Sequence, residues 1–256
     1  MDLFLFIIVF SVSFLAAFLD SSFKMGYGIL TPVLLLLGYM IKQVIPIILF
    51  VQLLSGFSKI IYYFIYTGKE EKMREEISLN LTGWYLISGF IGIILGIIFI
   101  VFFTQNIVIF YISIMLIIIG IISFLDIHIK FSKSRLALLS GLSSFNQTIS
   151  GAGYGPIMTY KELLHKGKYQ KVKTITTFSE SMISGIGFLM FYILFGEFIF
   201  SDLELFTTIL VAGFMATPLG SLITEYVNIK KGKIVIGGIS SLLGIILLVL
   251  LFINYF

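Results

Sequence analysis

The sequence predicts an all-α integral membrane protein whose two halves form inverted repeats of about five helical segments each. Three observations carry the prediction. Of the 256 residues, 59% are apolar and 12% charged, against about 25% charged in a soluble domain. The apolar residues gather in runs, several of which reach the roughly 20 residues that a helix needs to cross a bilayer. The glycine pattern of the first half also returns in the second.

The mean hydropathy of +1.10 means more apolar surface than a water-soluble chain of this size can bury. Runs fall at 3–19, 28–40, 44–66, 79–103, 106–125, 136–149, 156–164, 174–195, 205–226 and 234–254. Membrane β-strands would alternate apolar and polar residues, and these runs do not. Four runs are too short to cross alone. Residues 3–19 and 28–40 flank Gly26-Tyr27-Gly28; residues 136–149 and 156–164 flank Gly153-Tyr154-Gly155. Each pair reads as a discontinuous helix pair broken at a Gly-Tyr-Gly turn. No Lys or Arg precedes Lys24, and Ala16-Ala17 is the one small-residue cleavage candidate. The first run therefore reads as a retained helix rather than a cleaved signal.

The chain, 1–256, reads as a single membrane domain: repeat one 1–125, a loop 126–135, repeat two 136–256. The Gly-Tyr-Gly turns lie 127 residues apart, as do Leu15 and Leu142, and Phe18 and Phe145. Ser55-Gly56 returns as Ser184-Gly185 at an offset of 129. Gly89, Gly96 and Gly120 return as Gly213, Gly220 and Gly244, each 124 residues on. An odd number of crossings per unit inverts the second copy. Inverted repeats with broken helices are the architecture of many secondary transporters, and the broken helices hold the substrate near the midplane.

Basic residues set the orientation. Loops 68–78, 126–135 and 227–233, with region 161–173, hold 14 of the 17 lysines and arginines. All four fall on one side whether the short pairs cross or turn back. The positive-inside rule makes that side cytoplasmic, including loop 165–173. These lysines read as topogenic charges rather than a nucleic-acid surface. The chain has no cysteine, which excludes disulfides, thiolate metal sites and cysteine nucleophiles. Its two histidines, His128 and His165, sit in charged loops. No metal and no cofactor are expected.

Each glycine turn frees the backbone and leaves a helix N-terminus with unpaired N–H groups pointing inward. Two such ends facing each other would make an anion site; the plainer alternative is tight helix packing at small residues. Asp20, Ser21, Ser22 and Lys24 precede the first turn, and Asn146, Gln147, Thr148 and Ser150 the second. They suit helix capping, cavity lining or both. Asp20 and Lys24 have the spacing of a helical ion pair. Gln52, Ser55, Gly56 and Lys59 share one helix face, and Thr177, Glu180, Ser181, Ser184 and Gly185 share another. Lys59 and Glu180 are charges inside apolar helices, each costing about 2.5–3.5 kcal/mol or more at the bilayer centre unless satisfied. Two readings stand for each: a function, or a snorkelling lysine and a glutamate paired with a loop lysine. The Gly-Tyr-Gly turns lack the lysine of a phosphate loop, so nothing points to ATP.

The chain resembles the TauE/SafE family of sulfite exporters. Lys24-Met25-Gly26-Tyr27-Gly28 with Pro32, and Gly151-Ala152-Gly153-Tyr154-Gly155-Pro156, carry the resemblance across both halves. It implies export of sulfite, sulfonate or another small organosulfur anion. The expectation is thus a secondary active transporter in a prokaryotic plasma membrane, with a small anion, protons and lipid as partners. The substrate would be held by Gly26, Tyr27, Gly28, Gly153, Tyr154 and Gly155, with Ser21, Gln52, Lys59, Gln147 and Ser181. Asp20 or Glu180 would carry a proton. The alternative is a transporter of a cation or neutral metabolite using Asp20 and Glu180 as ligands. A lipid enzyme would have only His165 near Glu162, a weak dyad.

Overall fold

The computed structural model describes residues 1–23, 26–67, 79–124, 133–151, 169–223 and 229–253. The second glycine turn, Gly153-Tyr154-Gly155, lies outside these residues, as do Lys24, both histidines and the side chains of the four basic loops. The described residues form helices and no strand: α1 Leu3–Phe23, α2 Tyr27–Leu36, α3 Ile41–Thr67, α4 Leu79–Phe102, α5 Gln105–Phe124, α6 Lys133–Ser150, α7 Tyr169–Ile199, α8 Leu203–Ile223 and α9 Ile229–Ile253. Seven are long and apolar enough to cross a membrane, namely all but α2 and α6. The chain is a multi-pass integral membrane protein.

The first pair of helices is separate, but α2 begins at Tyr27, so Tyr27 and Gly28 are helical rather than a turn, and α1 is longer than its apolar run suggests. Its 21 residues are enough to cross alone. The polar residues Asp20, Ser21 and Ser22 continue the helix because they are buried against other helices; the Ser22 hydroxyl donates to the Gly220 carbonyl of α8 at 3.0 Å. Pro32 is the sixth residue of α2 rather than a first-turn residue, so its missing N–H leaves the Gly28 carbonyl without that helical bond. The α2 helix stops at Gly38, where φ is 91°. There the Gly38 N–H reaches Leu35 O and the Tyr39 N–H reaches Leu34 O, the paired bonds of a Schellman cap.

Large apolar side chains point outward, Phe102 and Ile193 each 79% exposed, as lipid-facing residues do. The interior is richer in small polar residues. Hydroxyls there mostly bond their own helix: Ser113 to Ile109 O, Ser123 to Ile119 O, Ser181 to Thr177 O and Thr217 to Gly213 O. Returning the bond locally avoids an unsatisfied buried donor.

Helix packing is strongest in the pairs α1 with α8, α4 with α6, α3 with α7, and α5 with α9. Glycines let these pairs close. A β-carbon on Gly220 would lie 2.5 Å from the Phe18 carbonyl oxygen and 2.7 Å from Ser21 Cβ. One on Gly96 would lie 3.1 Å from the Phe145 carbonyl oxygen and 2.7 Å from Thr148 Cβ. Likewise Gly120 of α5 meets Gly237 O and Ser241 of α9, and Gly244 of α9 meets Ser113 O and Ile117 of α5. Each contact becomes its partner under the offsets of 124 and 127 read from the sequence.

Candidate functional site

Where α3 and α7 cross, they and the end of α1 border a small polar cavity. Gly56 permits the crossing: a β-carbon there would overlap the Ser181 hydroxyl, 1.6 Å away. The walls are Asp20 of α1, Gln52, Ser55, Gly56 and Lys59 of α3, and Thr177, Glu180 and Ser181 of α7. No large apolar side chain is among them. The free space between these walls is about that of a single water molecule, so an ion of several heavy atoms enters only if the walls part.

Lys59 sets the electrostatics. Its Nζ lies 3.1 Å from Asp20 Oδ2, with the two side chains 11% and 7% exposed. Lys59 turns into the protein instead of snorkelling. Asp20 is thus paired with a cation from another helix; Lys24 lies outside the described residues. Glu180 is buried on the opposite wall and has interactions of its own.

A second polar group adjoins the cavity. Gln52 Nε2 donates to the Gly151 carbonyl at 2.8 Å. Gln147 Nε2 donates to Gln52 Oε1 at 2.8 Å and to Ser184 Oγ at 2.7 Å, and Ser184 donates to the Glu180 carbonyl at 2.7 Å. Gly151 ends α6 with φ 68°, its N–H on Gln147 O at 2.8 Å; only glycine takes that left-handed position freely. Thr31 of α2 caps the same end, donating to Ser150 O at 2.6 Å. Tyr27 is buried with its hydroxyl beside Ser55 and near both carboxylates, without a completed hydrogen bond.

Of the residues singled out from sequence, Asp20, Gln52, Lys59, Glu180 and Ser181 meet around the cavity, and Tyr27 reaches its edge. Gln147 joins the adjoining network. Ser21 faces Gly220 and does not line the cavity. Gly26 and Gly28 do not line it either. Gly26 adopts an ordinary helical conformation, φ −77° and ψ −45°, so it is not the conformationally free residue the sequence suggests. Its role is close approach: a β-carbon would sit 1.7 Å from the Ala16 carbonyl oxygen. Ser55, Gly56 and Thr177 belong to the polar faces read from sequence and prove to be walls of the cavity. Gly151 was readable as a helix-stopping glycine after Ser150.

The family model for "Sulfite exporter TauE/SafE" matches residues 9–247. The chain belongs to the TauE/SafE family. The match runs from α1 into α9 and takes in every wall of the cavity. No curated protein and no solved structure matches the chain. TauE/SafE membership makes it a membrane transporter of the sulfite exporter type, with a small anion and the lipid bilayer as its partners.

Proposed function

We infer that this TauE/SafE protein is a secondary active exporter of a small sulfur oxyanion, sulfite or a short sulfonate, and not an enzyme. The observation that carries the reading is Lys59, a buried ammonium in a cavity otherwise walled by hydroxyl, amide and carboxylate groups. An ammonium inside a membrane is retained for a charge it must meet. Gln52 would give the second N–H of its Nε2, the first being held by the Gly151 carbonyl, and Ser181 would give its hydroxyl by turning it away from the Thr177 carbonyl. The segment at Gly26, Tyr27 and Gly28, its counterpart at Gly153, Tyr154 and Gly155, and Ser21 and Gln147 would shape the site from behind. Asp20 or Glu180 would carry the proton. The matched glycine contacts support two inverted repeats that rock about the cavity, giving alternating access. By the positive-inside rule the lysine-rich loops would face the cytoplasm of a prokaryotic cell.

Calorimetry of methanesulfonate and sulfite against the purified protein tests this. Binding should be lost in Lys59→Gln with the protein still monodisperse. A second reading has an observation behind it, since the two carboxylates outnumber the ammonium among the described walls: a cation would then be the cargo. Ligands that bind the folded state protect it from heat. Protection by sodium or a divalent metal, with none from sulfonate, would replace the anion reading.

A further inference from the structure

An anion entering this cavity has to compete for its one described ammonium. Lys59 already holds the Asp20 carboxylate at 3.1 Å, and Glu180 adds a second negative group on the facing wall. One ammonium cannot neutralise two anions. If the substrate takes Lys59, Asp20 is left as a carboxylate only 7% exposed, and a buried carboxylate without its counter-ion takes up a proton instead. Among the described residues, the groups facing Asp20 are few. The α3 helix brings Lys59, α7 brings Glu180 and α2 brings Tyr27. From α8 the residue at this level is Gly220, and α9 sets Gly232 against Phe23, the lysine side chains of that end lying outside the described residues.

We propose that the substrate anion replaces the Asp20 carboxylate on Lys59 while Asp20 binds one proton, so that each anion travels with one proton. This rests on the anion reading above. The exchange is balanced and makes no covalent bond. The ammonium keeps its three protons, the carboxylate becomes a carboxylic acid, and the anion inherits the ion pair. The loaded and empty sites then carry the same charge, so neither form of the carrier works against the membrane potential when it reorients.

Methanesulfonate is the probe, because it stays singly charged from about pH 5 to about pH 8, unlike titrating carboxyl and imidazole groups. Calorimetry of the full chain in two buffers of different ionisation heat counts the protons taken up. About one per anion is expected on the alkaline side, where affinity should fall about tenfold per pH unit. Asp20→Asn should hold the acid-limit affinity at every pH and take up no proton. The buffer comparison uses the unaltered chain, so it decides the matter even if the variant fails to fold. Binding without proton uptake would overturn the exchange and leave the anion reading standing. A pH slope that survives in Asp20→Asn but vanishes in Glu180→Gln would also overturn it. Absence of methanesulfonate binding at any pH would overturn both.

Discussion

Asp20 and Gln147 sit near the buried ends of two helices, 127 residues apart in sequence, and meet opposite surroundings. Asp20 is charged, tied to one lysine, and faces a cavity. Gln147 is neutral, fully buried, and spends its amide N–H groups on Gln52 and Ser184. Both ends pack through a glycine on the neighbouring helix, Gly220 for the first and Gly96 for the second. The same structural need, anchoring a helix end inside a membrane, has thus been met once by an ion pair and once by an amide network. Amides suffice for anchoring. The ion pair therefore supplies something that anchoring does not require, namely a charge that can change partners.

The largest effect should come from breaking the charged end. Lys59→Met leaves Asp20 buried without its cation, which costs about 3–5 kcal/mol. Thermal unfolding in detergent should show a large drop in midpoint, and an unchanged midpoint would mean that the pair contributes nothing to the fold. Next come the packing glycines. Gly96→Val and Gly220→Val should each destabilise by about 1–3 kcal/mol through overpacking, and by similar amounts if the two ends are equivalent. A severe loss in one with none in the other would break the equivalence. At the neutral end, Gln147→Leu removes the amide donor to Ser184 and leaves Gln52 Oε1 with only the Ser184 hydroxyl at 3.3 Å, at a cost of about 1–2 kcal/mol. Methanesulfonate affinity should stay within a factor of about three; a collapse of binding would move Gln147 into the site itself. Smallest is Thr31→Val, which removes one bond to the Ser150 carbonyl, worth about 1 kcal/mol, and is read by the same unfolding measurement.

The helices were legible because the membrane imposes a composition on anything that crosses it, and the two polar faces because helical spacing repeats along a sequence. The direction in which single residues point was less legible. Ser21 follows Asp20 directly, yet a step of about 100° around the helix turns it to α8 instead of the cavity. The reach of α1 to Phe23 depends on Gly220 of α8 and Lys59 of α3, partners distant in sequence. The Asp20–Lys59 pair joins residues 39 apart in sequence, which no local spacing announces. Gly26 looked like a residue chosen for its dihedrals, but the crowding that requires it comes from Ala16 on the preceding helix.

The hydroxyls that bond their own helix bear on how this protein can move. Ser113, Ser123, Ser181 and Thr217 each carry their acceptor with them. A hydroxyl of this kind exchanges no hydrogen bond when its helix slides along a neighbour, so it adds little enthalpic resistance to small shear displacements. The bonds that do cross between helices behave differently. Ser22 to Gly220, Thr31 to Ser150 and Gln52 to Gly151 act as rivets, and the elements they join must travel together or break them. Together they divide the molecule into greased seams and fastened joints, with Gln52 fastened at a joint while forming part of the cavity wall.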